Sequence, residues 1–320
     1  MSFQFSEMKM TSLFTLLGSI IVGTTLLSSH AVAASHEDSN GQTVLFMGNS
    51  FTYGAGSAVQ YYRPELVTDL NGNEKGGVPS LFKAFTVQAG LKFDVSHELI
   101  GGSGIDRHLA EKSDVVAKAW DHVVMHGYST LDRNKPGDPR ALVKSAKKMA
   151  ELLHKQNAKV NIRLKSTWSR ADQTYPKKGH WYGKTIDVMA KDVRAGYNLA
   201  ASSTPHIAGV IPVGEAWNRA IATGVADANP YDGIGYGQVD LWANDHYHGG
   251  TYGYYLSALM VFGELTGHDP RSLGEGERCA FELGVSKSQA AALQQVAFDE
   301  LSSSNSAKVL KRFERLPLPR

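Results

Sequence analysis

Short apolar segments alternate with longer segments of helical period along the chain from Val44 onward. In segments such as Val44–Met47 and Val123–Met125, neighbouring positions are both apolar, which is typical of strands that are covered on both faces. Alternation of such strands with helices predicts a parallel sheet flanked by helices. The five predicted strands are residues 43–48, 93–100, 122–126, 160–165 and 207–213.

The longer segments have apolar positions three and four residues apart, as amphipathic helices do. In residues 139–156 one face carries Leu142, Val143, Ala146, Met149, Ala150 and Leu153, and the other carries Lys144, Lys147 and Lys148. The predicted helices are residues 79–89, 139–156, 181–203, 252–266, which Gly267 ends, and 286–301, which Ser286 can cap.

The first 33 residues have the pattern of a secretory signal peptide. Lys9 precedes an uncharged, largely apolar run over residues 10–29, and the small residues Ala31 and Ala33 precede a cleavage site after Ala33 or Ala34. An uncleaved membrane anchor is the other interpretation, but Gly, Ser and Thr residues dilute the run. We therefore expect a secreted or periplasmic protein with no stable membrane insertion after cleavage.

Composition narrows the function classes further. The 320 residues contain 33 Lys and Arg against 31 Asp and Glu, and a net charge of +2 disfavours nucleic-acid binding. A single cysteine, Cys279, excludes an intramolecular disulfide and a thiolate zinc cluster. We predict a signal peptide at 1–33, a short disordered lead at 34–42, one folded domain at 43–310 and a C-terminal tail at 311–320.

The first candidate site lies where the first predicted strand ends. Gly48-Asn49-Ser50 follows an apolar run, so Ser50 is expected at the carboxyl end of its strand, where open α/β sheets bind ligands. Gly48 permits a tight turn there. The Ser50 hydroxyl is therefore a candidate nucleophile, and the alternative is a helix N-cap, a common role of Asn and Ser after a strand.

The second candidate site is the segment Asp245-His246-Tyr247-His248, shortly before a predicted helix. In a tight turn that enters a helix, residues i and i+3 lie on the same side, so Asp245 can bond to Nδ1 of His248 and fix its tautomer. His248 then offers Nε2 as a base, and with Ser50 this makes a nucleophilic triad. The alternatives are a metal site built from Asp245, His246 and His248, and a plain cap on the helix.

These two motifs resemble the first and last sequence blocks of the SGNH (GDSL-like) hydrolase superfamily, in a branch with a Gly-Asn-Ser-Phe-Thr nucleophile block. The similarity covers about residues 43–270. It implies a three-layer α/β/α flavodoxin-like fold with a five-stranded parallel sheet, and hydrolysis of carboxylic esters through an acyl-enzyme. By this resemblance Ser50 is the nucleophile, His248 the base and Asp245 its partner, and no metal or other cofactor is required.

The oxyanion hole of this family has three donors: the amide of the nucleophile, a glycine after the second strand and an asparagine after the third. By the resemblance Ser50 supplies the first donor and Gly102 the second, with Gly101 as the alternative; a plain glycine turn is the other interpretation. Glycine suits the position because its amide can approach a developing oxyanion with no side chain between them. Residues 124–130 contain no asparagine, so the candidate third donors are His126 and Ser129.

Aromatic side chains are frequent in the segments expected around Ser50, and the candidate substrate-binding residues are Tyr53, Tyr128, Trp168 and Trp242. Because an exported esterase meets acylated glycans, we expect an O-acyl carbohydrate, in particular an acetylated one, or another small ester as substrate. Core packing is the alternative role of these rings. Two other functions stay open, namely an exported polysaccharide O-acetyltransferase with the same triad and a catalytically silent glycan-binding protein on this fold.

Overall fold

The computed structural model describes residues 41–304. The predicted signal peptide at 1–33, nearly all of the predicted lead and the predicted tail at 311–320 lie outside the described residues. Within the described part of the chain, no helix is both long and apolar enough to cross a membrane.

The sheet has six strands, all parallel, in the order β2-β3-β1-β4-β5-β6. Without β2, the remaining five strands are those expected from the apolar runs, and they follow the 2-1-3-4-5 order of flavodoxin-like sheets. The strands are β1 (Gln42–Gly48), β2 (Thr68–Asp69), β3 (Phe93–Leu99), β4 (His122–Met125), β5 (Asn161–Ser166) and β6 (Ile207–Pro212).

The expected count of five strands is therefore wrong by one. The additional strand, β2, has two residues, both polar, and pairs with β3 at the edge of the sheet. An edge strand of this length buries no apolar side chain of its own, so it leaves no hydrophobic pattern in the sequence.

Helices cover both faces of the sheet. Their bounds are α1 (Ser50–Tyr53), α2 (Gly77–Gln88), α3 (Ile105–Glu111), α4 (Ser113–Val116), α5 (Arg140–Gln156), α6 (Ala171–Thr174), α7 (Ile186–Ser202), α8 (Val213–Ala222), α9 (Thr251–Thr266), α10 (Arg278–Glu282) and α11 (Lys287–Ser304). Three short 3-10 helices lie at Ala58–Tyr61, Pro64–Leu66 and Pro270–Leu273. The helix expected at 181–203 begins later, at Ile186, and α8 follows β6 without a loop where no helix was expected.

Alternate residues of β1 point to two separate cores, one on each face of the sheet. Val44 and Phe46 belong to the first core, which is completed by side chains of α2, α8, α9 and α11, among them Phe85, Trp217, Phe262 and Leu293. Leu45 and Met47 belong to the second, with side chains of α3, α5 and α7, among them Ile105, Met149, Leu153 and Val193. This is the predicted three-layer α/β/α arrangement, and it explains why β1 is apolar at consecutive positions.

Candidate active site

The segment that carries Ser50 is held at the carboxyl edge of the sheet by Asn49. The Asn49 side chain accepts a hydrogen bond from the amide of Phe51 (3.0 Å), and therefore Asn49, not Ser50, caps the short helix α1. Nδ2 of the Asn49 side chain donates to the carbonyls of Ser103 (2.8 Å) and Gly127 (3.2 Å). Asn49 thus joins the loops that follow β1, β3 and β4. It leaves the hydroxyl of Ser50, a residue with 4% exposure, out of the capping interaction.

Asp245 and His248 are brought together as the sequence predicts. Oδ2 of Asp245 lies 2.6 Å from Nδ1 of His248, and Oδ1 accepts from the amides of His248 (2.8 Å) and Tyr247 (3.0 Å). Burial by itself would raise the pKa of Asp245, but these hydrogen bonds outweigh it, so the pKa lies below its ordinary value. The carboxylate therefore stays ionised and holds the proton of His248 on Nδ1.

The loop around this pair is closed like a hairpin. Trp242 and Gly249 form an antiparallel bridge, and the amide of Ala243 donates to the carbonyl of His248 at 2.9 Å. Nε2 of His248 is buried and has no hydrogen-bond partner among the described residues. The ring of Phe51, the residue after Ser50, lies 5.6 Å from the His248 ring, so the two segments are neighbours although no hydrogen bond joins Ser50 to His248 here.

The turn Gly101-Gly102-Ser103 follows β3 and borders the same site. Gly102 has φ of +65°, a left-handed conformation that favours glycine, and its carbonyl accepts from Arg133 (2.8 Å). Two contacts hold the Ser103 side chain in place. Its hydroxyl donates to the carbonyl of Ile100 (2.8 Å) and lies 2.8 Å from Nε2 of His108. Glycine is accordingly required by the backbone at position 102.

A buried Ser-His-Glu cluster therefore supports this turn. Nδ1 of His108 is hydrogen-bonded to Glu98, and the side chains of both residues are fully buried. This cluster cannot be predicted from the sequence, because Glu98 lies in a strand and His108 lies in a helix. Only the pairing of β3 with α3 brings them together. The cluster stabilises the Gly102 turn from inside the protein and has no access to a ligand.

His126 lies beneath the Ser50 segment with both ring nitrogens engaged. Nε2 faces the amide of Asn49 (3.3 Å) and the hydroxyl of Thr52 (2.9 Å), and Nδ1 lies 3.0 Å from the carbonyl of Gly127. Burial, with the neighbouring Lys165 amine, lowers the pKa of His126 well below its ordinary value, so the ring is neutral. Its Nδ1 proton points to Gly127, and neither nitrogen faces the cleft beside Ser50.

The close fit of His126 also explains Gly48. A Cβ at position 48 would lie 2.2 Å from Nε2 of His126, so the turn into Ser50 requires glycine for lack of space. Lys165 completes this layer, since its amine donates to the carbonyl of Phe51 (3.0 Å) and the hydroxyl of Thr52 (2.8 Å). These contacts fix the backbone of α1 from below.

Ser129 lies on the loop after β4 and is 2% exposed. Its hydroxyl accepts a hydrogen bond from Nη1 of Arg170 at 3.2 Å. The Arg170 guanidinium lies 3.7 Å from the centre of the Tyr247 ring, and that ring lies 3.9 Å from the ring of His248. Arg170 lies outside the sequence motifs and contacts Ser129 across 41 positions of the chain, so it could not be predicted. Tyr247 stands inside the Asp245–His248 motif, but the motif by itself gives its side chain no role.

Two of the predicted substrate-binding residues border cavities. Tyr53 lines a cavity of about 420 Å³ together with Gly101, and the Lys75 amine lies 3.8 Å from the centre of the Tyr53 ring. Tyr128 lines a cavity of about 340 Å³ together with Gly102 and Arg133. Both cavities therefore open at the Gly101-Gly102 turn.

Trp168 and Trp242, the other two residues predicted to bind substrate, are both buried. Trp168 is fully buried and stacks on Phe51 (4.5 Å between ring centres) and on Trp217 (4.4 Å). Trp242 is 3% exposed, and its indole nitrogen donates to the carbonyl of Ser169 at 2.9 Å. Both rings are core residues that support the site, as large aromatic side chains frequently are.

No family model matches the chain, and no curated protein matches it. Solved structures do. A DUF4886 family protein from Bacteroides uniformis aligns with a TM-score of 0.53 and 17% identity over 86% of this chain and 100% of that chain. The fold is thus shared with a solved protein. The predicted α/β/α fold with a parallel sheet is confirmed.

Two further solved structures are similar at lower scores. One is an acetylxylan esterase from Geobacillus stearothermophilus, described as a catalytic mutant, with a TM-score of 0.46 and 16% identity over 70% of this chain and 94% of that chain. The other is a GDSL-like lipase from Bacteroides thetaiotaomicron, with a TM-score of 0.40 and 15% identity over 69% of this chain and 85% of that chain.

The geometry at Asp245 bears on the alternative of a metal site at Asp245, His246 and His248. Asp245 directs one oxygen to Nδ1 of His248 and the other to backbone amides. Among residues 41–304 no group of three or more His, Cys, Asp or Glu side chains is arranged to hold a metal ion. The arrangement at Asp245 is instead suited to orienting an imidazole base.

Proposed function

We propose that this protein is an exported serine esterase of the SGNH (GDSL-like) type that hydrolyses carboxylic esters through an acyl-enzyme. One observation carries the proposal. The Asp245 carboxylate lies 2.6 Å from Nδ1 of His248, while Nε2 is buried, unpartnered and on a segment adjacent to Ser50. A base with its orienting carboxylate beside a serine at the carboxyl edge of the sheet is the arrangement that nucleophilic acyl transfer requires.

The reaction has two steps. Ser50 Oγ attacks the ester carbonyl carbon as its proton moves to Nε2 of His248, and the imidazolium, stabilised by Asp245, then protonates the departing alcohol as the C–O bond breaks. In the second step His248 takes a proton from water, whose oxygen attacks the acyl carbon. The tetrahedral intermediate then collapses, and Ser50 leaves with the proton from His248.

The negative oxygen of both tetrahedral intermediates needs hydrogen-bond donors. In this proposal the amides of Ser50 and Gly102 are two of them, with Gly101 as the alternative to Gly102. His126 is not retained as a third donor because its nitrogens face Asn49, Thr52 and Gly127. Ser129 then stays as the candidate among the residues that follow β4.

For the substrate we propose an O-acyl carbohydrate, with acetyl as the acyl group. The cavity of about 340 Å³ at Gly102 supports this choice, since it combines one aromatic ring, Tyr128, with polar side chains that include Asp132, Arg133 and Asn134. A sugar presents both an apolar ring face and many hydroxyls, and a mixed lining of this kind suits such a ligand better than a long acyl chain.

Hydrolysis of p-nitrophenyl acetate tests the proposed function. The wild type should release p-nitrophenol, and Ser50→Ala should lower the rate by several orders of magnitude. Ser203→Ala is the control, because Ser203 follows α7 at the opposite edge of the sheet and bonds only to the carbonyl of Ala200 in this structure (2.7 Å). Full activity in Ser50→Ala would contradict the proposal.

The same assay in EDTA tests the metal alternative. A triad needs no Lewis acid, so we expect the rate to be unchanged after chelation. Complete loss of activity in EDTA, with recovery on addition of Zn²⁺ or Mn²⁺, would instead favour a metal site at Asp245, His246 and His248.

A further inference from the structure

Arg170 is held in one orientation by a bidentate ion pair. Its Nε lies 2.9 Å from Oδ1 of Asp172, and its Nη2 lies 2.7 Å from Oδ2. Because the guanidinium is planar and its donors form a rigid fork, this pair also fixes the direction of Nη1. Nη1 donates to the hydroxyl of Ser129 at 3.2 Å.

The direction of this hydrogen bond determines where the Ser129 proton points. Arginine has donors only, whereas a serine hydroxyl has one proton and two lone pairs. Ser129 must therefore accept from Arg170, and its own proton is left for another acceptor. The hydroxyl of Tyr247 interacts with the side chains of both Ser129 and Ser50.

The position of the Tyr247 ring is fixed independently of its hydroxyl. It lies between the Arg170 guanidinium (3.7 Å to the ring centre) and the His248 ring (3.9 Å between ring centres). Its backbone is tied to Asp245 by an amide hydrogen bond of 3.0 Å. Burial raises the pKa of the Tyr247 phenol, so this hydroxyl keeps its proton at neutral pH and acts as a donor.

We propose that Tyr247 is a further catalytic residue, and that Arg170 and Ser129 are positioning residues that act through it. The chain of donors runs from Arg170 to Ser129, from Ser129 to Tyr247, and from Tyr247 to the oxygens at Ser50. In the resting enzyme Tyr247 donates to Oγ of Ser50, which directs the Ser50 proton to Nε2 of His248. In the tetrahedral intermediate Tyr247, and not Ser129 itself, donates to the negative oxygen and replaces the asparagine that residues 124–130 lack.

This inference rests on the proposed esterase function, and labelling by a fluorophosphonate probe separates the two. The probe bonds its phosphorus to Oγ of an activated serine and releases fluoride. No labelling of the wild type, or equal labelling of Ser50→Ala, would overturn the esterase proposal. If the probe labels the wild type and Tyr247→Phe at the same rate, the inference on Tyr247 is overturned and the esterase proposal stands.

Turnover of p-nitrophenyl acetate gives the magnitudes. Tyr247→Phe should lower kcat by about 100-fold with KM within about twofold, because the hydroxyl acts on the reacting oxygens, whereas the ring stays in place. Ser129→Ala and Arg170→Lys should lower kcat by about 10-fold. The double variant Tyr247→Phe/Ser129→Ala should be no worse than Tyr247→Phe, since both changes interrupt one chain. Multiplicative losses, or unchanged kcat in Tyr247→Phe, would overturn the proposal.

Two matched controls separate this effect from general destabilisation. Arg271→Lys breaks another bidentate arginine pair, with Asp269, that also stacks on an aromatic ring, Phe298. Tyr255→Phe removes another buried tyrosine hydroxyl, which accepts from Gln294. Both controls should retain wild-type kcat. If Tyr247→Phe does not fold, Ser129→Ala and Arg170→Lys still test the proposal. A kcat equal to that of the wild type in both variants would overturn it.

Discussion

Two histidines stand two positions apart before α9, and the structure gives them different surroundings. His248 is paired with Asp245, whereas His246 has φ of +56° and its ring lies 4.2 Å from the ring of Tyr231. His248→Ala should therefore lower the esterase rate by several orders of magnitude, and His246→Ala by less than about fivefold. Steady-state kinetics on both variants, with folding checked by circular dichroism, gives the comparison.

Asp245→Asn belongs to the same series and should be severe, though less so than His248→Ala, because the amide can present the wrong tautomer to His248. An equal loss in His246→Ala and His248→Ala in folded proteins would show that the base is assigned to the wrong residue.

Gly102 offers a second test at the scale of one residue. Its φ of +65° makes Gly102→Ala strained by about 1–2 kcal/mol, and the new Cβ would lie 2.9 Å from Nη2 of Arg133. We expect kcat to fall at least about tenfold, because the shifted turn displaces the proposed oxyanion donor. Gly90→Ala is the control, with φ of +71° and nothing within 4 Å of the added Cβ.

Gly90→Ala should show a similar loss in free energy of unfolding and unchanged kcat. Equal kcat in Gly102→Ala and Gly90→Ala would remove Gly102 from the oxyanion hole and leave Gly101 as the alternative. Denaturant unfolding and steady-state kinetics on the same preparations supply both numbers.

At this scale the sequence predicts the residues that lie in local motifs and misses those defined by packing. Asp245 and His248 are three positions apart, so local geometry alone places them together. The hydrogen bond between Arg170 and Ser129 joins residues 41 positions apart, and it depends on the order of β4 and β5 in the sheet. Aromatic character could not separate Trp168 from Tyr128, since only burial distinguishes a core ring from a ring at a cavity.

Among the elements, β1 and β4 were predictable because both are buried on both faces and leave a continuous apolar run. The polar edge strand β2 leaves no such run. Helix α8 escaped prediction because it starts at Val213, the residue after β6, so no loop separates the apolar run of the strand from the helix. Periodicity therefore fails where one element passes directly into the next.

The contact between β5 and α1 leads to a prediction on pH. Lys165 is fully buried, and burial lowers its pKa from 10.5 to about 7. Between these two values the unfolded chain carries a proton on this amine that the folded chain has released. The contribution of Lys165 to the stability of the wild type therefore rises with pH from about 7 to about 10. Below pH 7 the amine is charged in the folded protein, and the full cost of burying that charge lowers the stability.

Lys165→Met removes this dependence. The free energy of unfolding of Lys165→Met minus that of the wild type should decrease between pH 7 and 9, by up to about 1.4 kcal/mol per pH unit. Urea denaturation at each pH measures it. Lys147→Met, on the exposed side of α5, is the control and should differ from the wild type by an amount independent of pH. A difference for Lys165→Met that is flat with pH would show that the amine stays charged.

For the molecule as a whole, the sequence predicts export. Lys9, the apolar run 10–29 and the small residues Ala31 and Ala33 predict a mature chain that begins at Ala34 or Ser35. Mass spectrometry of the N-terminal peptide, on protein isolated from its native compartment, measures this directly. Ala33→Arg should block cleavage and leave a longer chain, and a wild-type protein that retains Met1 or Lys9 would contradict the prediction.

The closed loop that carries Asp245 and His248 has a consequence for motion in the whole molecule. Carboxylate and imidazole belong to one hairpin, closed by the Trp242–Gly249 bridge, so they move together as one rigid piece. Alignment of the triad then depends on the side-chain torsion of Ser50, which is a change of one rotamer. Acylation should consequently need no domain movement, and a small ester diffused into a crystal of the protein should react with Ser50 about as fast as it does in solution.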